Sequence, residues 1–368
     1  MKHILFSWSF FLLLLGNCNQ PAGNNSPLAS QDPPARTLRS DLNYPWEILW
    51  GHDNYIWMTE RGGTISKIDP ATGKTLFSHR VEDAVANNEG GMLGMVQDPG
   101  FVTNGYLYVV YDYFNGNQYR EKLVKLRYHD DSIELVQTIV QDIPAAVIHN
   151  GSRLWISKDP VPVLYMTTGD ASVQPNAQLL SSLSGKVLRF NLDGSIPADN
   201  PLPGSPVWSY GHRNAQGLVM VNGILYASEH GPDIEDEINI IERNRNYGWP
   251  TVNGPCDKES EKTFCEANKV KEPVWSSGDK TIAVCGLDYY ADSLIPQWKN
   301  CLLLVSLKDQ SLRSFNIAPG GQSITPADIF YKNKFGRLRD LCVSPQGKVY
   351  LCTSNGSNKD LLVELTGR

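Results

Sequence analysis

The feature that most restricts the fold of this chain is a short pattern that recurs six times, roughly every 50 residues. Each copy has an aliphatic residue, usually followed by an aromatic one, and then a run of residues that favour β-strands. The copies begin at Ile56, Leu107, Leu164, Leu225, Leu302 and Val349. Turn signals such as Asn104-Gly105 precede most copies. The spacing therefore predicts a small antiparallel sheet that is repeated along the chain.

Small sheets repeated at this interval are typical of a β-propeller, in which the sheets surround a central channel as blades. The strands Tyr106–Tyr111 and Leu302–Val305 are apolar on both faces, so other sheets must cover both sides. The sequence thus predicts an all-β fold, a six-bladed β-propeller of four-stranded antiparallel blades over residues 41–368. A β-sandwich built from the same strands is the alternative.

Three further segments complete this prediction. The alternating apolar residues of Ser184–Gly194 predict a strand that follows the third copy, with a turn at its end. The terminal segment Leu361–Leu365 is expected to close the ring beside the first blade. The longest gap between copies holds an insertion that carries Cys256 and Cys265.

The composition excludes several classes of protein. Of 368 residues, 41% are hydrophobic and 20% are charged, so the chain can bury a large core and is neither disordered nor fibrous. The formal net charge of -6 argues against a nucleic-acid binder, which needs a basic face.

The N-terminus predicts export. Residues 1–17 have a basic start and a short apolar run, as in a signal peptide. The run ends at Leu15-Gly-Asn-Cys18, which resembles the lipobox of bacterial lipoproteins, and residues 18–40 are predicted to be a flexible tether. We therefore expect an exported protein of a bacterium, either periplasmic or an outer-membrane or cell-surface lipoprotein anchored through Cys18. An ordinary signal peptide with an incidental cysteine is the alternative.

The other six cysteines are an even number, which in an oxidising compartment suggests disulfides. The pairs Cys256–Cys265 and Cys342–Cys352 are the simplest choices because each closes a short loop. The chain has no Cys-x-x-Cys and no His-Glu-x-x-His motif, so a zinc site is not expected.

Unusual polar loops lie next to the repeated strands, where the loops of a propeller converge at one end of the channel. They contain His149 before the third copy and Arg213 before the fourth. Lys308 follows the fifth copy, and Arg337 and Arg339 precede the sixth. Each of these could be a structural or surface residue. Together, the four cations would focus positive potential in a cleft and suit a ligand with several carboxylates or phosphates.

Five segments in order resemble the glucose/sorbosone dehydrogenase family of soluble quinoproteins, which includes aldose sugar dehydrogenases. They are Gly185–Pro197, Gly211–Leu218, Ser228–Pro232, Asp236–Asn239 and Asn246–Pro250. The resemblance extends from about residue 42 to residue 367. It implies a six-bladed propeller that binds pyrroloquinoline quinone (PQQ) and calcium and oxidises aldoses at C1 to lactones.

The resemblance also implies roles for individual residues. His149 matches the general base, which takes the C1 hydroxyl proton while hydride moves to the quinone. Asp170 matches a carboxylate that orients this histidine. Arg213 matches the cation near the quinone oxygens, and Asn214 matches a cofactor contact.

The remaining matches concern cofactor and metal. Further residues correspond to cofactor contacts: Glu89, Thr281, Lys308, Arg337 and Arg339. The carbonyls of Gly231 and Pro232 match calcium ligands beside the quinone, and Glu237 with the carbonyl of Tyr247 matches a second calcium site. Glu89 is a departure, because many family members have glutamine there.

Two other hypotheses are open on the sequence. One is a non-catalytic calcium-binding cell-surface propeller that binds a ligand or partner, as the carboxylate of Glu89 could repel an anionic cofactor. The other is a calcium-dependent lactonase, which the cation cluster disfavours. For the dehydrogenase we expect a small-molecule sugar substrate and an external electron acceptor, with no nucleic acid and a membrane only through Cys18.

Overall fold

The computed structural model describes Met1 and residues 31–367, and it has six four-stranded antiparallel sheets arranged in a ring. The predicted six-bladed β-propeller is confirmed. The predicted signal peptide and the possible lipidation of Cys18 lie outside the described residues.

The first three blades follow one another along the chain after an N-terminal strand, β1 (Ala35–Leu42). Blade 1 comprises β2 (Pro45–Trp50), β3 (Ile56–Glu60), β4 (Thr64–Ile68) and β5 (Thr75–Arg80). Blade 2 comprises β6 (Met92–Gln97), β7 (Tyr106–Asn115), β8 (Gln118–His129) and β9 (Ser132–Pro144). Blade 3 comprises β10 (Gly151–Ile156), β11 (Val163–Thr168), β12 (Lys186–Asn191) and β13 (Val207–Tyr210).

The other three blades complete the ring. Blade 4 comprises β14 (Ala215–Val221), β15 (Ile224–Glu229), β16 (Glu237–Ile241) and β17 (Trp275–Ser276). Blade 5 comprises β18 (Val284–Tyr290), β19 (Cys301–Ser306), β20 (Ser311–Ile317) and β21 (Ile324–Phe330). Blade 6 comprises β22 (Leu338–Val343), β23 (Val349–Thr353), β24 (Asp360–Leu365) and β1.

Helices are few in the described residues. They are the short α1 (Phe101–Asn104), α2 (Glu259–Asn268) and two 3-10 turns, Gln174–Gln178 and Pro296–Trp298. The helix α2 belongs to the insertion between β16 and β17, and the predicted disulfide Cys256–Cys265 is present there, with an S–S distance of 2.08 Å.

Six buried apolar clusters hold the ring together, one between each pair of neighbouring blades. The strand β19 shows why both of its faces are apolar. Leu302 and Leu304 pack against blade 4, whereas Leu303 and Val305 pack against blade 6. Alternate side chains of one strand therefore serve two different interfaces, as the strand period of two requires.

Two expectations need correction. Residues 35–40 are not a flexible tether, because they belong to β1, which pairs with β24 along Ala35↔Leu365. The terminal strand β24 lies in blade 6 beside blade 1, as expected, with Leu362 in the apolar cluster that these two blades share, and β1 pairs with it at the outer edge of blade 6.

The proposed disulfide Cys342–Cys352 is the second correction. Both thiols are free and buried in the apolar cluster between blades 1 and 6. Cys342 lies opposite Tyr350 and Cys352 lies opposite Asp340 in the ladder between β22 and β23, so the two cysteines are not a cross-strand pair.

In the part of the chain that the structure describes, no helix is long and apolar enough to cross a bilayer.

The first strands of adjacent blades contact one another around the ring and thereby surround the central axis. Three of them place charged side chains at the centre. Nη1 of Arg153 lies 2.6 Å from Oε1 of Glu47 and 2.9 Å from Oδ2 of Asp340. This buried ion triad joins the first strands of blades 1, 3 and 6 at the centre of the ring.

Candidate active site at one end of the channel

The site begins with the loops at the ends of the hairpin β10–β11. His149 precedes β10 and Asp170 follows β11, and the pairing Gly151↔Thr168 brings the two loops to the same edge. Nδ1 of His149 lies 2.9 Å from Oδ1 of Asp170. Because a carboxylate that accepts from Nδ1 leaves the lone pair on Nε2, this histidine can act as a base through Nε2.

The carboxylate of Asp170 is fully buried and is held by several donors. Its Oδ2 accepts from Nε1 of Trp249 at 2.9 Å, and its Oδ1 also accepts from the amide of Ser172 at 2.8 Å. The amide of Asp170 donates to the carbonyl of Arg213 at 2.8 Å. The predicted orienting carboxylate is therefore rigidly placed between His149 and the Arg213 loop.

Arg213 and Asn214 are held from behind by a buried polar network. Oε1 of Glu229 accepts the amides of both residues, and Oε2 of Glu229 lies 2.9 Å from Nδ1 of His212. Nε2 of His212 lies 2.9 Å from Oγ of Ser209. This serine, histidine and glutamate have the contacts of a hydrolytic triad, but Ser209 and His212 are fully buried, so no substrate can reach them. Their contacts instead fix the peptide that carries Arg213.

Cationic side chains meet around His230, which lies between Glu229 and the predicted calcium ligand Gly231. Burial first, and then the nearby Arg213, Arg339, His149 and Arg337, together lower the pKa of His230 to about 3. The imidazole is therefore neutral, and its buried Nε2 has no hydrogen-bond partner among the described residues. The same holds, within residues 31–367, for the buried Nε atoms of Arg213 and Arg339.

The predicted cations differ in their exposure. Arg339 is buried and its Nη1 donates to Oε1 of Gln216 at 2.7 Å, whereas Arg337 is exposed and its Nε donates to the carbonyl of Ser354 at 3.2 Å. Lys308 is exposed in the turn after β19, and its amide donates to the carbonyl of Ile282. The structure thus brings three of the four predicted cations to His230 and places Lys308 on the adjoining loop.

Asp236 joins the loop of Gly231 to the loop of Thr281. Its buried carboxylate accepts from the amide of Gly231 at 2.9 Å, from Oγ1 of Thr281 at 2.9 Å and from the amide of Ala283 at 2.7 Å. Burial raises the pKa of Asp236, although these donors oppose that shift. The hydroxyl of Thr281, a predicted cofactor contact, is therefore already engaged by Asp236.

The residues predicted for a second calcium site surround a cavity of about 10 Å³, which is lined by Glu229, Glu237, Tyr247 and Asn253 among others. Burial, with the charges of Glu229 and Glu235, raises the pKa of Glu237 to about 8. Oδ1 of Asn239, whose amide nitrogen donates to Glu237, is buried and has no partner. A set of oxygens with uncompensated negative charge fits a hard cation such as calcium.

Carbonyl oxygens would have to complete either calcium site. Among residues 31–367, no group of three or more His, Cys, Asp or Glu side chains is arranged to hold a metal ion.

Glu89 lies at the rim of the same site. Its Oε2 is 3.5 Å from the amide of His149, and its charge acts on two arginines, Arg61 and Arg213. Arg61 is anchored nearby through a hydrogen bond from Nη1 to the carbonyl of Asn88. Two cations therefore offset the carboxylate that stands where many family members have glutamine.

A much larger cavity lies elsewhere in the described chain. It has a volume of about 1030 Å³ at the opposite end of the channel, where Trp50, Gln97, Lys158 and Tyr289 are among its lining residues. None of the predicted site residues lines it. The chemistry-bearing groups converge at the other end, so cavity size alone would have pointed to the wrong end.

Several residues that organise the site were not singled out from the sequence. They are His212, Glu229, His230, Asp236 and Trp249. All five fall within or beside the segments that carry the family resemblance, which was the available signal. Their contacts depend on loops from different blades, so sequence spacing could not reveal them.

Comparison with known proteins agrees with this architecture. The family model described as "Glucose / Sorbosone dehydrogenase" matches residues 42–363. Quinoprotein glucose dehydrogenase B of Acinetobacter calcoaceticus is 30% identical over 88% of this chain and 86% of its own length. An aldose sugar dehydrogenase of Escherichia coli K12 is 29% identical over 89% of this chain and 91% of its own length.

Two solved structures are also similar to this chain over most of its length. The PQQ-bound form of an aldose sugar dehydrogenase from Streptomyces coelicolor superposes with a TM-score of 0.78 at 27% identity, covering 92% of this chain and 99% of the other. The apo form of the soluble Escherichia coli aldose sugar dehydrogenase gives a TM-score of 0.80 at 28% identity, covering 91% of this chain and 99% of the other.

Proposed function

The chain belongs to the glucose/sorbosone dehydrogenase family, and on that premise we propose that it is a PQQ- and calcium-dependent dehydrogenase that oxidises aldose sugars at C1 to lactones. The observation that carries the proposal is the pairing of His149 with Asp170 near the buried Arg339 and the partly buried Arg213. Such a site combines a base that can remove a hydroxyl proton with positive charge that can bind an anionic hydride acceptor.

The cations fit the cofactor by charge. PQQ is a flat tricarboxylate, and the buried Nε atoms of Arg213 and Arg339 and Nε2 of His230 lack partners. A buried polar group without a partner is costly unless a ligand satisfies it. Under the proposal, Arg213, Arg337, Arg339 and Lys308 hold the cofactor's anionic groups, and Asn214 and Thr281 line its binding site.

The proton is handled by His149. Nε2 takes the proton of the C1 hydroxyl while the C1 hydrogen leaves as hydride, so that a carbonyl forms at C1. Asp170 stabilises the imidazolium that results and holds it in place. Arg213 places positive charge where the acceptor's oxygens gain negative charge. When bound, PQQ supplies the hydride acceptor.

Calcium is assigned to two places in this proposal. The carbonyls of Gly231 and Pro232 would hold one ion, which would act as a Lewis acid on the cofactor. Asp236 supports that loop by its bond to the amide of Gly231. Glu237 and the carbonyl of Tyr247 would hold the second ion, whose charge would offset the burial and the neighbouring carboxylates that raise the pKa of Glu237.

The direct test is reconstitution of purified apoprotein with calcium and PQQ, followed by dye reduction with a panel of aldoses. We expect turnover, and we expect His149→Ala to lower it at least about a hundredfold. The exposed His129, which pairs only with Asp130, supplies the control His129→Ala, which should behave as wild type. Absence of both activity and cofactor binding by calorimetry would refute the proposal.

A non-catalytic, calcium-binding cell-surface propeller is the second candidate, and the carboxylate of Glu89 at the rim of the site favours it. Calorimetry separates the two, because this candidate predicts calcium binding without PQQ binding. The Glu89→Gln variant sharpens the result. If only that variant binds PQQ, Glu89 excludes the cofactor from the natural protein.

The location of the enzyme is part of the proposal. We expect export by the N-terminal signal and attachment to a membrane through a lipid on Cys18, with electrons passed to an external acceptor. When cells that express Cys18→Ser are fractionated, we expect the protein in the soluble fraction instead of the membrane fraction. An unchanged distribution would contradict the lipid anchor.

A further inference from the structure

The indole of Trp249 touches both halves of the candidate site. Its Nε1 donates to Oδ2 of Asp170 at 2.9 Å, and its ring centroid lies 5.3 Å from Cζ of Arg213. Trp249 is only 8% exposed and lies in the loop after β16. One side chain thus contacts the carboxylate behind the base and the cation that faces the acceptor.

We propose that Trp249 is a positioning residue that fixes the base His149 through Asp170 and fixes Arg213 through its ring face. This inference rests on the proposed dehydrogenase function and adds to it a residue that controls two steps separately. The indole N–H acts on proton removal, and the ring acts on the binding of the anionic cofactor.

The first contact controls the charge on Asp170. Oδ1 of this carboxylate serves His149 and the amide of Ser172, and Oδ2 accepts from Trp249. A donor on Oδ2 withdraws negative charge from the carboxylate. Without that donor, Asp170 would be a stronger acceptor for the imidazolium of His149 and would favour its protonated form.

The second contact controls the direction of Arg213. Its guanidinium makes one described hydrogen bond, from Nη1 to the carbonyl of His230 at 3.2 Å, and its Nε has no partner. The aromatic face of Trp249 therefore supplies a second restraint through a cation–π interaction. A flexible arginine would lose more conformational entropy when it binds an anion.

Trp249 itself is held independently of these two contacts. Its amide donates to the carbonyl of Gly211 at 3.0 Å, and its carbonyl accepts from Nε2 of Gln178 at 2.6 Å. The backbone is thus anchored to blades 3 and 4, and the indole can serve as a fixed reference for both functional side chains.

Two substitutions separate the two contacts. Trp249→Phe keeps a ring over Arg213 but removes the N–H, whereas Trp249→Leu removes both. For Trp249→Phe we expect the acidic limb of the kcat pH profile to move up by about half to one pH unit, because neutral His149 is the active form. Its affinity for PQQ should stay within about twofold of wild type. For Trp249→Leu we expect the same pH shift and about three- to thirtyfold weaker PQQ binding by calorimetry.

Trp208 supplies the matched control. Its ring lies 4.7 Å from Cζ of Arg189 in blade 3, so it stacks on an arginine outside the site. Trp208→Phe and Trp208→Leu should leave the pH profile and the PQQ affinity unchanged. If Trp249→Phe leaves the pH profile in place, or both Trp249 variants weaken binding equally, Trp249 acts only by packing and the inference is wrong.

A measurement on apoprotein distinguishes this failure from failure of the proposed function. The NMR titration of the His149 imidazole, assigned by comparison with His149→Ala, should move to higher pH in Trp249→Phe whether or not PQQ binds. If the protein neither binds PQQ nor oxidises aldoses but its His149 titration shifts in this way, the proposed dehydrogenase function is refuted. The inferred effect of Trp249 on His149 is then still supported. If the enzyme is active but the titration of His149 does not shift in Trp249→Phe, only the positioning role of Trp249 is refuted.

Discussion

Two arginines in this propeller, the buried Arg153 and the partly buried Arg213, have opposite surroundings. Arg153 lies on the axis between Glu47 and Asp340, and its Nε also donates to the carbonyl of Gln216 at 2.8 Å. Arg213 lies at the mouth of the channel, where its guanidinium contacts a carbonyl and an aromatic face but no carboxylate oxygen within the described residues.

Their acid–base behaviour reflects this difference. Burial alone would lower the pKa of Arg153, but Asp340 and Glu47 raise it above its usual value. For Arg213, burial lowers the pKa and more distant carboxylates compensate only in part. A buried cation that is paired with carboxylates stabilises the folded structure, whereas a cation whose charge is only partly compensated is available to bind an anionic ligand. The following predictions test this distinction.

The largest effect is expected for Arg153→Met. This change leaves Glu47 and Asp340 buried without their cation, and we expect the free energy of unfolding in urea to fall by about 3–5 kcal/mol. Adding Glu47→Gln and Asp340→Asn to the same variant should restore much of the loss. If the single variant is as stable as wild type, the triad does not hold the channel together.

Arg213→Met should produce the reverse pattern. The free energy of unfolding should change by less than about 1 kcal/mol, since no buried partner loses its charge. The affinity for PQQ with calcium present should fall about 10- to 100-fold in calorimetry, as expected for loss of a charge-assisted contact. Loss of stability with unchanged affinity would make Arg213 a structural residue like Arg153.

The comparison between paired and unpaired charges also applies to two buried carboxylates, which contact no cation within the described residues. Asp112 and Glu121 face each other across β7 and β8, and one oxygen of each is buried without a partner. Burial raises the pKa of Asp112 to about 7 and also raises that of Glu121, which the charge of Asp112 raises further. These two groups therefore have an ionisation cost in the folded protein.

The sign of the pH dependence follows from the raised pKa. In the unfolded chain Asp112 ionises near its ordinary value of 3.8, so its contribution to stability is complete below that pH and is lost as the pH rises through about 7. Asp112→Asn mimics the protonated form and should reduce the loss of stability between pH 5 and pH 8 by about 1–2 kcal/mol. Equal pH dependence of the two proteins in urea unfolding would contradict this.

The smallest effect is expected at an exposed ion pair. Nζ of Lys262 lies 2.6 Å from Oε2 of Glu259 on helix α2, and both side chains are at least half exposed. Lys262→Gln should change the free energy of unfolding by less than about 0.5 kcal/mol, and the difference should vanish in high salt. A larger effect would show that burial does not explain the difference between Arg153, Arg213 and this exposed ion pair.

The sequence predicts the fold better than it predicts the contacts in the site. All six copies of the repeated pattern are second strands of blades, namely β3, β7, β11, β15, β19 and β23. They were recognisable because a strand buried between two blades must be apolar on both faces. The strand β1 was missed because its polar exposed residues resemble a linker and its partner β24 lies at the other end of the chain.

Within the candidate site, the sequence predicts residue types and only part of their arrangement. The roles of His149, Asp170 and Arg213 follow from family resemblance and stay predictions, although the structure places the three together. The contacts of Glu229 and Trp249 could not be predicted, because each depends on loops from neighbouring blades.

By itself, the sequence determined the repeat and the chemistry available in the loops, since periodicity and side-chain type are local properties. Only the tertiary structure decided which charges are paired. Arg153 and Asp340 are 187 positions apart and meet because the first strands of separate blades converge on one axis. Within the described residues, the guanidinium of Arg213 contacts the carbonyl of His230 and the ring of Trp249 at the channel mouth, because the loops that meet there bring no carboxylate oxygen into contact with it.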